Sequence, residues 1–148
     1  MTAYDDLMAF ERTTQALGQV AGRLGWDQET MMPAGAVDQR AEEHGAMAEI
    51  LHARRVDPRI GDWLAAADGS DDAVGAANLR HIARDYARNT KVPADLAVEI
   101  ARTTSKAHRV WADARAAEDV AAFLPMLEKV VGLRQQEADA LAQDGNRY

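Results

Sequence analysis

The sequence predicts an all-α chain of about six helices packed as an antiparallel array, and three observations lead there. Hydrophobic residues make up 47% of the 148 positions and aromatics only 5%, a balance that suits alanine-rich, close-packed helices better than a sandwich or barrel. Apolar residues recur at intervals of three and four along nearly the whole chain, the repeat of one helix face. No segment alternates apolar and polar residues as a half-buried strand would. The length suits one domain with its own core, and a single helical region over 1–148 is expected.

Tyr4, Leu7, Met8, Leu17, Ala21 and Leu24 share one face, so residues 2–24 read as the first amphipathic helix. Gly22 and Gly25 weaken its continuation, and the segment from Trp26 to Gly35 carries no helical stripe, so it reads as an ordered irregular link. A second helix is predicted over 36–55 with Met47, Ile50 and Leu51 inward. Asp57-Pro58 is a helix start, because the carboxylate can accept from free N–H groups and proline suits the first helical position. It opens a short helix over 58–67 carrying Ile60, Trp63 and Leu64. Residues 68–72 form a turn rich in capping side chains, leading into a helix over 71–89 with Gly75, Leu79, Ile82 and Tyr86 on one face. Val92-Pro93 breaks that helix. In the fifth, Leu96, Ile100, Thr104, Ala107, Trp111 and Ala114 repeat over five turns. Asp119 is expected to cap the next helical stretch and Pro125 to kink or restart it. The last helix then runs from about Pro125 to Gln143, using Leu127, Val130, Val131, Ala138 and Leu141.

Composition excludes several functions. A net charge of -7 without a basic stripe argues against nucleic acid as a partner, since phosphate binding needs clustered cations. The row Arg80–Arg84–Arg88 lies on one helix face and reads as solvated or paired surface. With no cysteine, disulfides and thiolate-bound zinc are ruled out. No apolar run is long enough for a membrane span or a signal peptide, so a cytoplasmic chain is expected.

A helical zinc site of the HExxH kind needs two histidines four apart with a glutamate between, so that both imidazoles face one ion. The four histidines are His44, His52, His81 and His108, and no two stand four apart. His44 and His52 are two turns apart, about 12 Å along a helix axis. Glu49 and His52 have the spacing of half a di-iron site, but no second such pair exists, and His52 reads better as a helix-end imidazole. A calcium loop starting at Asp68 would need glycine and glutamate where Ala73 and Leu79 stand. Ser105 and His108 are helical neighbours without the context of a nucleophile. No residue is therefore assigned a catalytic or metal-binding role. In the Trp26–Gly35 segment an indole would bury a large area if packed, and Asp27 can cap or can pair with Arg40. As chemistry alone the segment reads as a packed connector.

Taken together, Trp26-Asp27-Gln28-Glu29-Thr30-Met31-Met32-Pro33 and the subsequent Arg40-Ala41-Glu42 resemble the N-terminal signature of the carboxypeptidase Taq family of zinc metallocarboxypeptidases. Four more pieces resemble that family in the same order: Asp57-Pro58-Arg59-Ile60-Gly61; Ala77-Asn78-Leu79-Arg80 with Arg84-Asp85-Tyr86; Lys91-Val92-Pro93; and Trp111 with the stretch Phe123 to Lys129. Ala36 departs from the pattern, where family members commonly have a second glycine.

The resemblance implies the N-terminal helical part of a larger all-helical metallopeptidase, which removes C-terminal residues from peptides with zinc-activated water and a general-base glutamate. The HExxH motif and the further zinc ligand would lie beyond Tyr148, so zinc or another divalent metal is expected in the full-length parent and none in this chain. Peptide is the implied substrate of the parent. Trp26, Asp27, Thr30, Met32, Pro33 and Arg40 are the signature residues that would face the groove. Apolar faces that pack against the rest of the parent would favour self-association or a homodimer. The rival reading is an autonomous helical interaction module without catalysis. A third places an unrecognised enzymatic site around Asp27 and Arg40.

Overall fold

A computed structural model of the chain describes residues 2–67 and 72–142. Among these it contains six α-helices and no strand: α1 (Ala3–Thr30), α2 (Val37–Arg55), α3 (Pro58–Ala66), α4 (Ala73–Asn89), α5 (Ala94–Ala116) and α6 (Val120–Leu141), with a 3₁₀ turn at Ala34–Ala36. Local chemistry accounts for most ends. Thr2 and Asp5 form a reciprocal capping box on α1, and Asp57, Asp72 and Asp119 each accept from a backbone N–H in the first turn of α3, α4 and α6. Most of the predicted turn at 68–72 and the residue Gln143 lie outside the described residues.

Long-range contacts give the order in space. α1 runs antiparallel to α2, held at one end by Arg40 reaching Asp27 and at the other by Arg54 donating to Thr14 and to the Phe10 carbonyl. α2 runs antiparallel to α5 through the pairs His52–Val92, Glu42–Arg102 and Asp38–Lys106. α5 runs antiparallel to α6, with Lys129 on Glu99 and with Leu133 packed on Leu96 and Ile100. The array therefore reads α1, α2, α5, α6, while α3 and α4 fold back beside α1 and α2. Ile60 and Leu7 are the largest fully buried side chains, and Phe10 meets Trp63 at 5.5 Å between ring centres. α2 and α5 approach closely because Gly45 has no Cβ. One built there would stand 2.6 Å from Arg102 Nε, so the Arg102 stem lies across the glycine.

Several expectations need correction. α1 does not stop at Leu24. It runs through Gly22 and Gly25 to Thr30, so half of the expected irregular link is helix. Bonds from Arg40 of α2 and Ser105 of α5 offset the cost of about 1 kcal/mol that each interior glycine carries relative to alanine. α6 starts at Val120 and carries Pro125 inside it, where the expectation was a start near Pro125. The proline cannot donate to the carbonyl four residues back, so one bond of the helical ladder is missing there, yet the helix continues through it. Ile50 was expected inward but is 46% exposed, and Trp111, Leu127 and Val131 are also exposed. The faces of α2 and α6 that bury are those of Ala41, Gly45 and Leu51 and of Leu133. The chain exposes 9413 Å², against about 7,400 Å² for a compact globule of this mass.

Candidate functional site

The signature residues come together where the end of α1 meets the start of α2 and the middle of α5. Arg40 is the hub. From α2 its guanidinium donates to the Asp27 carboxylate at 2.6 Å, to the Leu24 carbonyl, and through Nε to Glu43 at 2.7 Å. Its side chain is only 11% exposed, so the charge is satisfied almost wholly by protein. The hydrogen bond to Asp27, the largest influence, and the nearby Glu43 raise its pKa above the ordinary arginine value. This settles the open choice for Asp27, which pairs with Arg40 through its side chain. Its carbonyl closes the helix by accepting from both Met31 N and Met32 N at 2.9 Å.

Gln28, one residue on, clamps the same helix end to α5. Its amide nitrogen donates to the Ser105 carbonyl at 3.0 Å, and its amide oxygen accepts from the Ser105 hydroxyl at 2.8 Å. Ser105 is buried and its hydroxyl proton is engaged by Gln28, not directed at His108. His108 lies 3.3 Å from the Glu29 carboxylate instead. Gln28 and Glu43 were not singled out as site residues from the sequence, and Ser105 was weighed only as a neighbour of His108. The i,i+3 spacing of Arg40 and Glu43 was the one available signal for any of them.

The remaining signature residues, Met32 apart, are at the surface. Trp26 is 63% exposed, so the indole is not packed as its composition suggested. Thr30 turns its hydroxyl back onto the Trp26 carbonyl at 2.7 Å, Pro33 is exposed at the start of the 3₁₀ turn, and Met32 is half-buried. Beside them is an open cleft of about 460 Å³ lined by Gly25, Gln28, His44, Ser105, His108 and Arg134 among others. Burial and the neighbouring Arg40 charge lower the His44 pKa below its ordinary value of 6.5. A larger cleft of about 670 Å³ lies between α1 and α4, lined by Glu11, Asn78, His81, Asp85 and Tyr86, away from the signature residues. Burial raises the Glu11 pKa there.

The residues present do not fit a zinc site. Among the described residues no three or more histidines and carboxylates converge on one point. His52 Nε2 is held 2.7 Å from the Val92 carbonyl and so carries the proton, and Glu49 beside it is exposed. Arg80, Arg84 and Arg88 are all exposed, with Arg84 near Asp85. Among the described residues no helix is long and apolar enough to cross a membrane. What the site provides is a rigid, polar-locked corner that displays Trp26, Thr30, Met31 and Pro33.

Known proteins share this arrangement. Residues 6–148 match the family described as carboxypeptidase Taq (M32) metallopeptidase. Thermostable carboxypeptidase 1 of Thermus thermophilus is 38% identical over 146 residues, which cover 94% of this chain and 28% of the relative. The solved Pyrococcus furiosus carboxypeptidase superposes with a TM-score of 0.73 at 25% identity, covering 99% of this chain and 30% of that one. An M32 carboxypeptidase from Deinococcus radiodurans gives 0.68 at 31% identity, covering 93% and 28%. The chain thus spans less than a third of the length of these relatives, in their N-terminal part. With the signature corner and all but the first three residues of the six helices inside the matched region, the chain belongs to the carboxypeptidase Taq (M32) family of metallopeptidases.

Proposed function

We propose that these helices form the N-terminal wall and cover of the substrate groove in a metal-dependent carboxypeptidase, and that they do not hydrolyse peptides alone. The observation that carries this reading is the Arg40 hub. It commits two hydrogen bonds to fixing the end of α1 and a third to Glu43 that holds the guanidinium in place, and the side chains left facing outward are an indole, a threonine, a methionine and a proline. Such a surface can line a channel for peptides of mixed sequence, because an aromatic and a thioether give contact without demanding one partner. Peptide is accordingly the substrate class, and the metal with its ligands belongs to the part of the enzyme that these residues do not include.

The test is a chimera in which this chain replaces the matched 146-residue segment of the Thermus enzyme. Hydrolysis of blocked peptides by the chimera, with none by the 148-residue chain with or without zinc, is the expected result. Turnover by the chain alone would overturn the reading. So would a chimera that does not fold.

A further inference from the structure

α6 carries a second apolar stripe that the array does not use. Val120, Leu124, Leu127 and Val131 stand at intervals of four, three and four, so they line one side of the helix. Their exposures are 72%, 46%, 40% and 45%, while the opposite face of α6 packs on α5 through Leu133. α6 lies at the edge of the array and packs principally on α5. Four large aliphatic residues in one exposed row on an edge helix are unusual for a surface that stays in water.

The relatives say what is available to cover it. The Pyrococcus and Deinococcus carboxypeptidases hold this same arrangement within chains more than three times as long. The additional polypeptide must meet the array somewhere, and burial of apolar area favours the faces that are apolar and unpartnered. Charged pairs already occupy the outward surface between α2 and α5, where Arg102 holds Glu42 and Lys106 holds Asp38. We propose that the Val120–Leu124–Leu127–Val131 stripe is the docking face for the metal-bearing part of the enzyme, with an aliphatic helix face as its counterpart. The signature corner is then left free to border the groove. This inference rests on the function proposed above.

The experiment compares Leu124→Gln/Leu127→Gln in the 148-residue chain and in the Thermus chimera by thermal unfolding. In the chain the melting midpoint should stay within about 2 °C, since both side chains already face water. In the chimera it should fall by roughly 5 °C or more, because two amides would be buried in an apolar contact. Equal losses in both would mean that the stripe belongs to the array's own core, which overturns the inference. No loss in either, with the unsubstituted chimera folded and hydrolysing, would overturn the docking face and leave the proposed function standing. An unsubstituted chimera that neither folds nor hydrolyses removes the proposed function and this inference with it.

Discussion

Replacing Arg40 by alanine tests whether the signature corner is held as described. The substitution removes two bonds to carboxylates and one to a backbone carbonyl. Asp27 and Glu43 are each more than a third exposed, so their pairs are worth about 0.5–1 kcal/mol apiece after solvent screening. The bond to Leu24 adds about 1 kcal/mol. The sum, about 2–3 kcal/mol, lowers the melting midpoint by roughly 5–10 °C for a chain of this length. The loss should also be local. With Gly22 and Gly25 in its last turns, α1 has little intrinsic reason to continue to Thr30, so amide exchange should quicken over residues 24–31 and change little in α5 and α6. Arg40→Lys keeps the charge but not the fork, and should fall between the two. Unchanged exchange over 24–31 with a midpoint within about 1 °C of the parent chain would mean that Arg40 does not hold the end of α1.

Local geometry gives three further outcomes. Glu118 has φ of 54° between α5 and α6, where the N–H of Asp119 reaches the Ala114 carbonyl and that of Glu118 reaches Arg115, an arrangement that favours glycine. Glu118→Gly should therefore stabilise by about 0.5–1 kcal/mol in denaturant melts, the relieved left-handed strain exceeding glycine's added unfolded entropy. The depressed pKa of His44 means that its contribution to stability is present above 6.5 and lost as pH falls through the lower folded value, so His44→Gln should flatten the acid side of the stability curve below pH 6.5. Glu11 has the opposite sign. Its raised pKa favours the protonated fold, a contribution present below 4.5 and lost as pH rises through the folded value, so Glu11→Gln should stabilise at about pH 7 with a gain that vanishes near pH 4 in urea titrations.

The helices were legible because each depends on local information. Asp57-Pro58 and Asp119 announce their starts, and the face of Leu96, Ile100 and Ala107 announces the buried side of α5. What escaped was set at a distance. α1 extends past two glycines because Arg40, thirteen residues from Asp27, and Ser105, seventy-seven from Gln28, bond to its end. Nothing inside residues 22–30 encodes those partners. The exposure of Ile50, Trp111, Leu127 and Val131 was hidden for a related reason. Periodicity says that a residue lies on an apolar face, but not whether the element covering that face is among these residues. The Asp27–Arg40 pairing was visible as one of two choices. Of its companions, Glu43 carried only the common i,i+3 spacing to Arg40, and nothing in Gln28 points to a partner seventy-seven residues away.

The claim that the metal chemistry lies outside these residues is tested most directly by counting bound zinc on the chain and on the chimera side by side, after equilibration and removal of loose metal. One ion on the folded chimera and none on the 148-residue chain is the expected result. One tightly held zinc per copy of the chain alone, kept through gel filtration and lost when His44, His52 or His108 is replaced, would contradict it.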